Sequence, residues 1–194
     1  MRITKGQLRQ IIREEIDRAN RSHGGRRTRR RISEARISHD EINAIQQDHR
    51  AWYDSGGEAG QRANFRGVDF GGKLIGIGTG NVAFFPEADF AGANLSKTSL
   101  HGALLRDANF EGADLSGVNF LRARLQGAIF RDADLTDADF RAANIQGADF
   151  TGADLTGANL FGHDLSVADF TDAKLDGAHT DANMMARRRA AGLE

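Results

Sequence analysis

The chain has 194 residues, no cysteine and a formal net charge of −1, a length that suits one ordinary domain with a smaller appendage. The lack of cysteine excludes disulfides, thiolate metal sites and cysteine nucleophiles and fits a reducing compartment. No apolar run approaches a membrane span, and the first twenty residues hold no secretory-type apolar stretch, so a cytoplasmic protein is expected. The near-neutral total hides an asymmetry: residues 1–60 carry net +4, residues 61–180 net −6 and residues 181–194 net +1, a basic head on an acidic body.

In chain order, residues 1–22 read as an amphipathic helix. Thr4 and Gln7 have the spacing of a capping box, and Leu8, Ile11, Ile12, Ile16 and Ala19 form one apolar stripe. The opening Met-Arg-Ile-Thr-Lys-Gly-Gln-Leu-Arg-Gln-Ile-Ile-Arg-Glu-Glu resembles a stretch recurring in otherwise unrelated proteins of phages and some aquatic bacteria. That resemblance implies an assembly or sorting tag docking into a protein partner through Leu8, Ile11, Ile12 and Ile16. The plain alternative is a helix packed on its own chain. A linker comes next, with Arg26, Arg27, Arg29, Arg30 and Arg31. These are candidate phosphate ligands whose binding would depend on salt. No aromatic residue is interleaved to stack on bases, and a solvated linker explains the charges equally. Residues 1–37 thus form a basic N-terminal extension.

Residues 38–60 form a second unit. Ser38 and Glu41 make a capping box, a helix runs to Tyr53 with Ile42, Ile45, His49 and Trp52 on one face, and Gly56 and Gly57 stop it. This helix is expected to cover the open N-terminal end of the repeat region beginning at residue 61.

From residue 83 to 177 the chain repeats every five residues. Phe, Leu or Ile stands at nineteen consecutive central positions from 85 to 175, with a small residue two places earlier. A period of five is neither helical nor that of a flat strand. The blocks read Ala-Asp-Phe-Ala-Gly (88–92), Ala-Asn-Leu-Ser-Lys (93–97), Ala-Asn-Phe-Glu-Gly (108–112) and Ala-Asp-Leu-Thr-Gly (153–157), with outliers at 63–67 and 68–72. This pattern resembles the A(D/N)LXX motif of the pentapeptide-repeat family. The resemblance implies an all-β solenoid, a right-handed quadrilateral parallel β-helix with four pentapeptides per coil. Here it would have about six coils over residues 61–180, roughly 29 Å at about 4.8 Å per coil. Some members resemble DNA in shape and charge and protect type II topoisomerases.

Residues twenty apart support four sides independently. Phe70, Phe90, Phe110, Phe130, Phe150 and Phe170 would form one column, and Ile75, Leu95, Leu115, Leu135, Leu155 and Leu175 a second. Phe85, Leu105, Leu125, Ile145 and Leu165 would form a third, and Leu100, Phe120, Phe140 and Leu160 a fourth. Central residues and the small residues two earlier should point inward. Asp or Asn before the centre should bond nearby backbone, and closing glycines should take positive φ.

Departures mark special places. Residues 73–82 lose the motif yet keep the count in fives, so a distorted first coil or a bulge is expected. The spacing of Gly76, Gly78 and Gly80 fits no phosphate-binding loop. Phe84 and Leu104 replace Asp or Asn and should make an apolar spot for a helix or for the 73–82 segment. His163 replaces an inward Ala: it widens the coil, turns out to solvent, or acts as an interior ligand or base. Leu121 and Phe161 share an exposed row and are candidate partner contacts. Residues 181–194 should form a short helical cap with Met184 and Met185.

No triad, metal cluster or cleft emerges, so no catalytic residue, metal or cofactor is expected. The reading is a non-enzymatic interaction scaffold. It would be tethered through its N-terminal helix to a larger assembly, virion-associated if phage-encoded. DNA mimicry against a type II topoisomerase is the alternative, and anionic-surface or nucleic-acid binding through the arginine-rich linker a further one.

Overall fold

A computed structural model describes residues 37–70 and 82–181. The candidate residues Leu8, Ile11, Ile12, Ile16, Arg26, Arg27, Arg29, Arg30 and Arg31, most of the 73–82 segment and residues 182–194 lie outside the described residues.

Helix α1 spans His39–Asp54, with Ser38 as its N-cap. The capping box forms: Glu41 N–H donates to Ser38 Oγ at 3.2 Å and Ser38 N–H donates to the Glu41 carboxylate at 2.7 Å. Past the helix, Gly56 and Gly57 take φ of 66° and 96°, which ends it. Ile42 and His49 are buried, while Ile45 and Trp52 are half-buried. The helix packs on the first coil. Ala63 N–H donates to His49 Nδ1 at 3.0 Å, Phe84 N–H to Gln46 Oε1 at 3.2 Å, and Ile37 N–H to the Asp69 carbonyl at 3.4 Å.

Beyond α1, parallel bridges join residues twenty apart, from Phe84↔Leu104 to Asn159↔His179. Twenty residues are four pentapeptides, one per side of a coil. The ladder is built one residue per block: Phe110 N–H donates to the Ile129 carbonyl at 2.7 Å, and Ile129 N–H donates back to the Ala108 carbonyl at 2.9 Å. At each corner the chain makes a turn. Ala113 N–H donates to the Phe110 carbonyl at 3.0 Å, and Gly112 between them has φ 61°, a positive φ at the third turn residue as a type II turn demands. Where no glycine stands there, Lys97, Asp107, Arg122 and Ala142 hold φ of 54–60°.

The interior obeys the alternation. Among the described residues, the central ones from Phe65 to Leu160 are fully buried or nearly so, and the small residues two earlier sit beside them. The phenylalanine column stacks face to face: rings of Phe110 and Phe130 are 5.1 Å apart at 3°, and those of Phe130 and Phe150 4.8 Å apart at 5°. A second column, Phe120 on Phe140 at 5.2 Å, meets the first edge-on, with Phe130 and Phe140 at 87°.

The first coil corrects the expected columns. Phe65, not Phe70, stacks on Phe90, at 4.9 Å and 19°, whereas Phe70 meets Phe90 tilted at 45°. The bridges here join Asn64↔Asp89 and Asp69↔Asn94, twenty-five residues apart. Phe70 therefore occupies the slot below Leu95 that Ile75 was expected to fill. The chain uses fifteen residues from Phe70 to Phe85 where the next coil uses ten from Leu95 to Leu105. The five-residue excess preserves the count in fives and breaks the count in twenties.

The last coil departs at one side. Among the described residues no bridge joins Asn144 to position 164, and Leu165–Val167 form a 3-10 turn capped by Asp164. His163 is half-buried and its Nε2 lies 2.7 Å from the Phe140 carbonyl. The imidazole is too large for the inward slot of an alanine, so it bonds to the wall and the local ladder gives way. Leu165, Phe170 and Leu175, central residues of this coil, are half-buried.

Candidate interaction surfaces

The bridges define four walls. One carries Asp69, Asn94, Asp114, Asp134, Asp154 and Lys174 in ladder order. Its carboxylates serve the turns: Asp134 Oδ1 accepts from Thr136 N–H at 3.0 Å and from Thr136 Oγ1 at 2.8 Å, and Asp114 does the same for Ser116. Asp154 is held below the usual carboxylate range by the Thr156 hydroxyl and backbone and by Lys174 Nζ at 3.1 Å. Bonds to Arg141 lower Asp139 in the same way. At Asp149, burial pushes upward, but Thr151 and Arg131 outweigh it and leave the group lowered. Arg66 pairs with Asp89 at 3.4 Å. These are surface pairs that contribute at most about 1 kcal/mol each. Their use here is to cancel charge along the acidic body.

The opposite wall has a different character. Phe84, Leu104, Arg124 and Asn144 succeed one another along its ladder. Tyr53 of α1 meets Phe84 edge-on at 5.5 Å, and the Arg50 guanidinium lies 4.5 Å over the Phe84 ring. The expected apolar spot exists, and a helix docks on it. Arg106 and Arg122 stand at the corners on either side of this wall, exposed. Sequence reasoning missed these arginines as a group. Their spacings of sixteen and eighteen residues acquire meaning only on a twenty-residue coil.

Leu121 is half-buried and Phe161 is 47% exposed. Both fall on the expected row with Arg141 between them, which bonds Asp139 at 2.7 Å. The structure does not gather them into one patch. His101 is half-buried and His179 exposed, and among the described residues no group of His, Cys, Asp or Glu could hold a metal ion.

His49 is the buried ionisable group of the α1 contact. Its ring lies 5.5 Å from Trp52 and 5.8 Å from Phe85. Accepting from Ala63 N–H places its proton on Nε2, which is buried near the Pro86 carbonyl but forms no well-aligned hydrogen bond. Burial pushes the imidazole below the ordinary histidine pKa. The Pro86 carbonyl opposes this, and the Arg62 charge adds to it.

A coil of four pentapeptides laddered to the next and filled with phenylalanine and leucine defines a right-handed β-helical solenoid. The family model for pentapeptide repeats matches residues 85–121, 119–157 and 148–179 in eight copies. The chain belongs to the pentapeptide-repeat family. It is similar to a pentapeptide repeat protein of the Arabidopsis thaliana thylakoid lumen at 30% identity, over 61% of this chain and 76% of that one, with a TM-score of 0.42. It is also similar to the pentapeptide repeat protein Rfr23 of the cyanobacterium Cyanothece 51142, at 26% identity over 62% and 86%, TM-score 0.27. A third likeness is to QnrB1, a plasmid-mediated fluoroquinolone resistance protein, at 18% identity over 66% and 84%, TM-score 0.34. Comparison with curated proteins gives no match. Among the described residues no helix is long and apolar enough to cross a membrane.

Proposed function

We propose that this chain is a non-enzymatic interaction scaffold. Residues 61–180 form a rod of about six coils, residues 38–60 cap one end and residues 181–194 the other, and residues 1–37 tether the rod to a larger protein assembly. The observation that carries this reading is the filled interior. Among the described residues, the central ones from Phe65 to Leu160 are buried against one another, so that part of the rod has walls to offer rather than a pocket. Stacked coils also need covers over their unpaired edges, a task that suits α1. The tether is supported by the apolar stripe Leu8, Ile11, Ile12 and Ile16. Its resemblance to a segment of phage proteins favours a virion or a related bacterial assembly.

The test is affinity capture from the native source with the full chain and with residues 1–22 deleted. A protein partner should return with the first and be lost with the second; equal recovery overturns the tether. A salt series on the captured complex tests the linker, whose arginine contacts with an anionic surface would weaken steeply as salt rises.

DNA mimicry is favoured by the Asp114, Asp134 and Asp154 ladder. Against it, Asp89, Asp139, Asp149 and Asp154 each pair with a cation, and the opposite wall is basic. A supercoiling assay with type II topoisomerase decides: inhibition or protection at micromolar protein would establish mimicry in place of the scaffold.

A further inference from the structure

We propose that the wall carrying Phe84, Leu104 and Arg124, with the outer face of α1, is a docking surface for an acidic amphipathic segment of a partner protein. The inference rests on reading the chain as an interaction module and gives it a contact separate from the tether.

The residues here are not those the fold asks for. On the other walls the ladder position holds mostly Asp or Asn, whose side chain accepts from the backbone two residues on, as Asn119 does from Leu121 N–H at 2.9 Å. Leu104 and Arg124 give up that bond. Phe84 is used in part by α1, through Tyr53 and Arg50. Leu104 is one ladder step beyond it and half-buried, and Tyr53 stays 39% exposed. Tyr53, Phe84 and Leu104 thus make an apolar strip along the wall.

Four guanidinium groups surround the strip. Arg50 lies over Phe84, Arg124 succeeds Leu104 on the ladder, and Arg122 and Arg106 occupy the flanking corners. All four are exposed, and among the described residues none forms an ion pair. Arg66, Arg131 and Arg141, by contrast, each hold an aspartate. Glu87 and Asp107 sit at positive-φ corner positions beside this wall, and among the ion pairs of the described residues none joins them, or Asp48 and Asp54 of α1, to any of the four.

An apolar strip with aromatic and arginine side chains has the composition of a binding hot spot. Its charge selects the occupant. A basic or neutral partner would desolvate guanidinium groups without pairing them, whereas carboxylates flanking an apolar anchor would satisfy them. A nucleic acid fits less well, because Arg50 already covers a face of the Phe84 ring and Leu104 offers nothing for a base to stack on.

Trp52, the single tryptophan, is half-buried in α1 and stacked on His49, so it reports binding to the full chain. The probe is a synthetic helical peptide of about four turns, Glu on one face and Leu on the other. Controls replace Leu by Ser, replace Glu by Lys, or use a short DNA duplex. Saturable change in Trp52 emission with the Glu/Leu peptide is expected. Binding should weaken by about tenfold or more in Leu104→Asn and in Arg106→Glu/Arg124→Glu. Leu104→Asn installs the residue the turn prefers, so its loss of binding cannot be ascribed to unfolding. No saturation, equal binding by Leu104→Asn, equal binding of the Lys/Leu peptide, or tighter binding of the duplex each overturn the proposal. If the peptide fails while capture from the native source still depends on residues 1–22, this surface is wrong and the scaffold stands. If the peptide binds and capture fails, the tether is wrong.

Discussion

Each regular corner of the solenoid holds one residue at positive φ, the 3-10 turn at Leu165–Val167 excepted, and the cost depends on which residue stands there. Gly112 or Gly117 adopts it freely, but Ala142 holds φ 54° with a Cβ, which costs an L-residue about 1–2 kcal/mol. Ala142 is exposed, so no packing is lost on its removal. Ala142→Gly should therefore raise stability by about 0.5–1 kcal/mol after the extra chain entropy of glycine is subtracted, read as a higher midpoint in thermal or urea unfolding. Thr98 makes the complementary case. It fills an inward position usually taken by Ala or Val, is fully buried, and its hydroxyl has no partner. Thr98→Val keeps the shape and removes an unsatisfied polar group. It should stabilise by about 1 kcal/mol, and a lower midpoint would show that the hydroxyl is satisfied after all. Glycines at corners and small residues at inward positions were legible in the sequence because each arises from one block's own geometry. Arg106, Arg122 and Arg124 were not, since their neighbourhood is created by coils stacking, and no single block contains it.

At the scale of elements, α1 and the first coil meet around His49. The imidazole is buried, accepts from Ala63 N–H and is held below its ordinary pKa. The facing groups are the Arg62 charge and the Pro86 carbonyl, with Arg50 on the same helix and Trp52, Phe84 and Phe85 around the ring. Because the folded pKa lies below the unfolded one, the unfolded chain binds more protons, so this contribution is complete above the unfolded pKa and is lost as pH falls. Between about pH 7 and about pH 5 the α1 contact should weaken, with Trp52 emission shifting toward that of exposed tryptophan. His49→Gln should remove most of that pH dependence; an unchanged profile in the variant would assign the titration elsewhere. The helix itself was readable from Ser38, Glu41 and the Ile42–Ile45–His49–Trp52 face, all local signals. The register of the coil beneath it was not. A count in fives cannot say which wall a block belongs to, so Phe65 and Phe70 look alike until Phe65 is found on Phe90. The five extra residues before Phe85 interrupt the motif but leave the count in fives intact.

Across the whole molecule, stability should come from identical neighbours stacked along one axis, as in other solenoids. Deleting residues 111–130 removes one full coil and joins Phe110 to Arg131, the residue after Phe130 in the native chain. Every column then keeps its register, and the variant should unfold in one cooperative step with a far-ultraviolet spectrum close to the parent's. Its stability should be lower by one coil interface. Deleting residues 111–115 removes only one block. Phe110 then precedes Ser116, and each later block moves one wall backward, putting phenylalanines under leucines and opening voids along the axis. Large-to-small mismatch in a close-packed interior costs about 2–5 kcal/mol per site, and several sites change together, so this shorter deletion should be the more damaging one. The five-residue excess before Phe85 does not contradict this, because it leaves no slot of the later coils short of a block. Phe130→Ala calibrates the comparison. It empties a stacked ring between Phe110 and Phe150 and should cost about 3–5 kcal/mol, while Phe161→Ala on the surface should change stability by no more than about 0.5 kcal/mol. If the five-residue deletion proves the milder of the two, the walls are interchangeable and the twenty-residue register does not govern this rod.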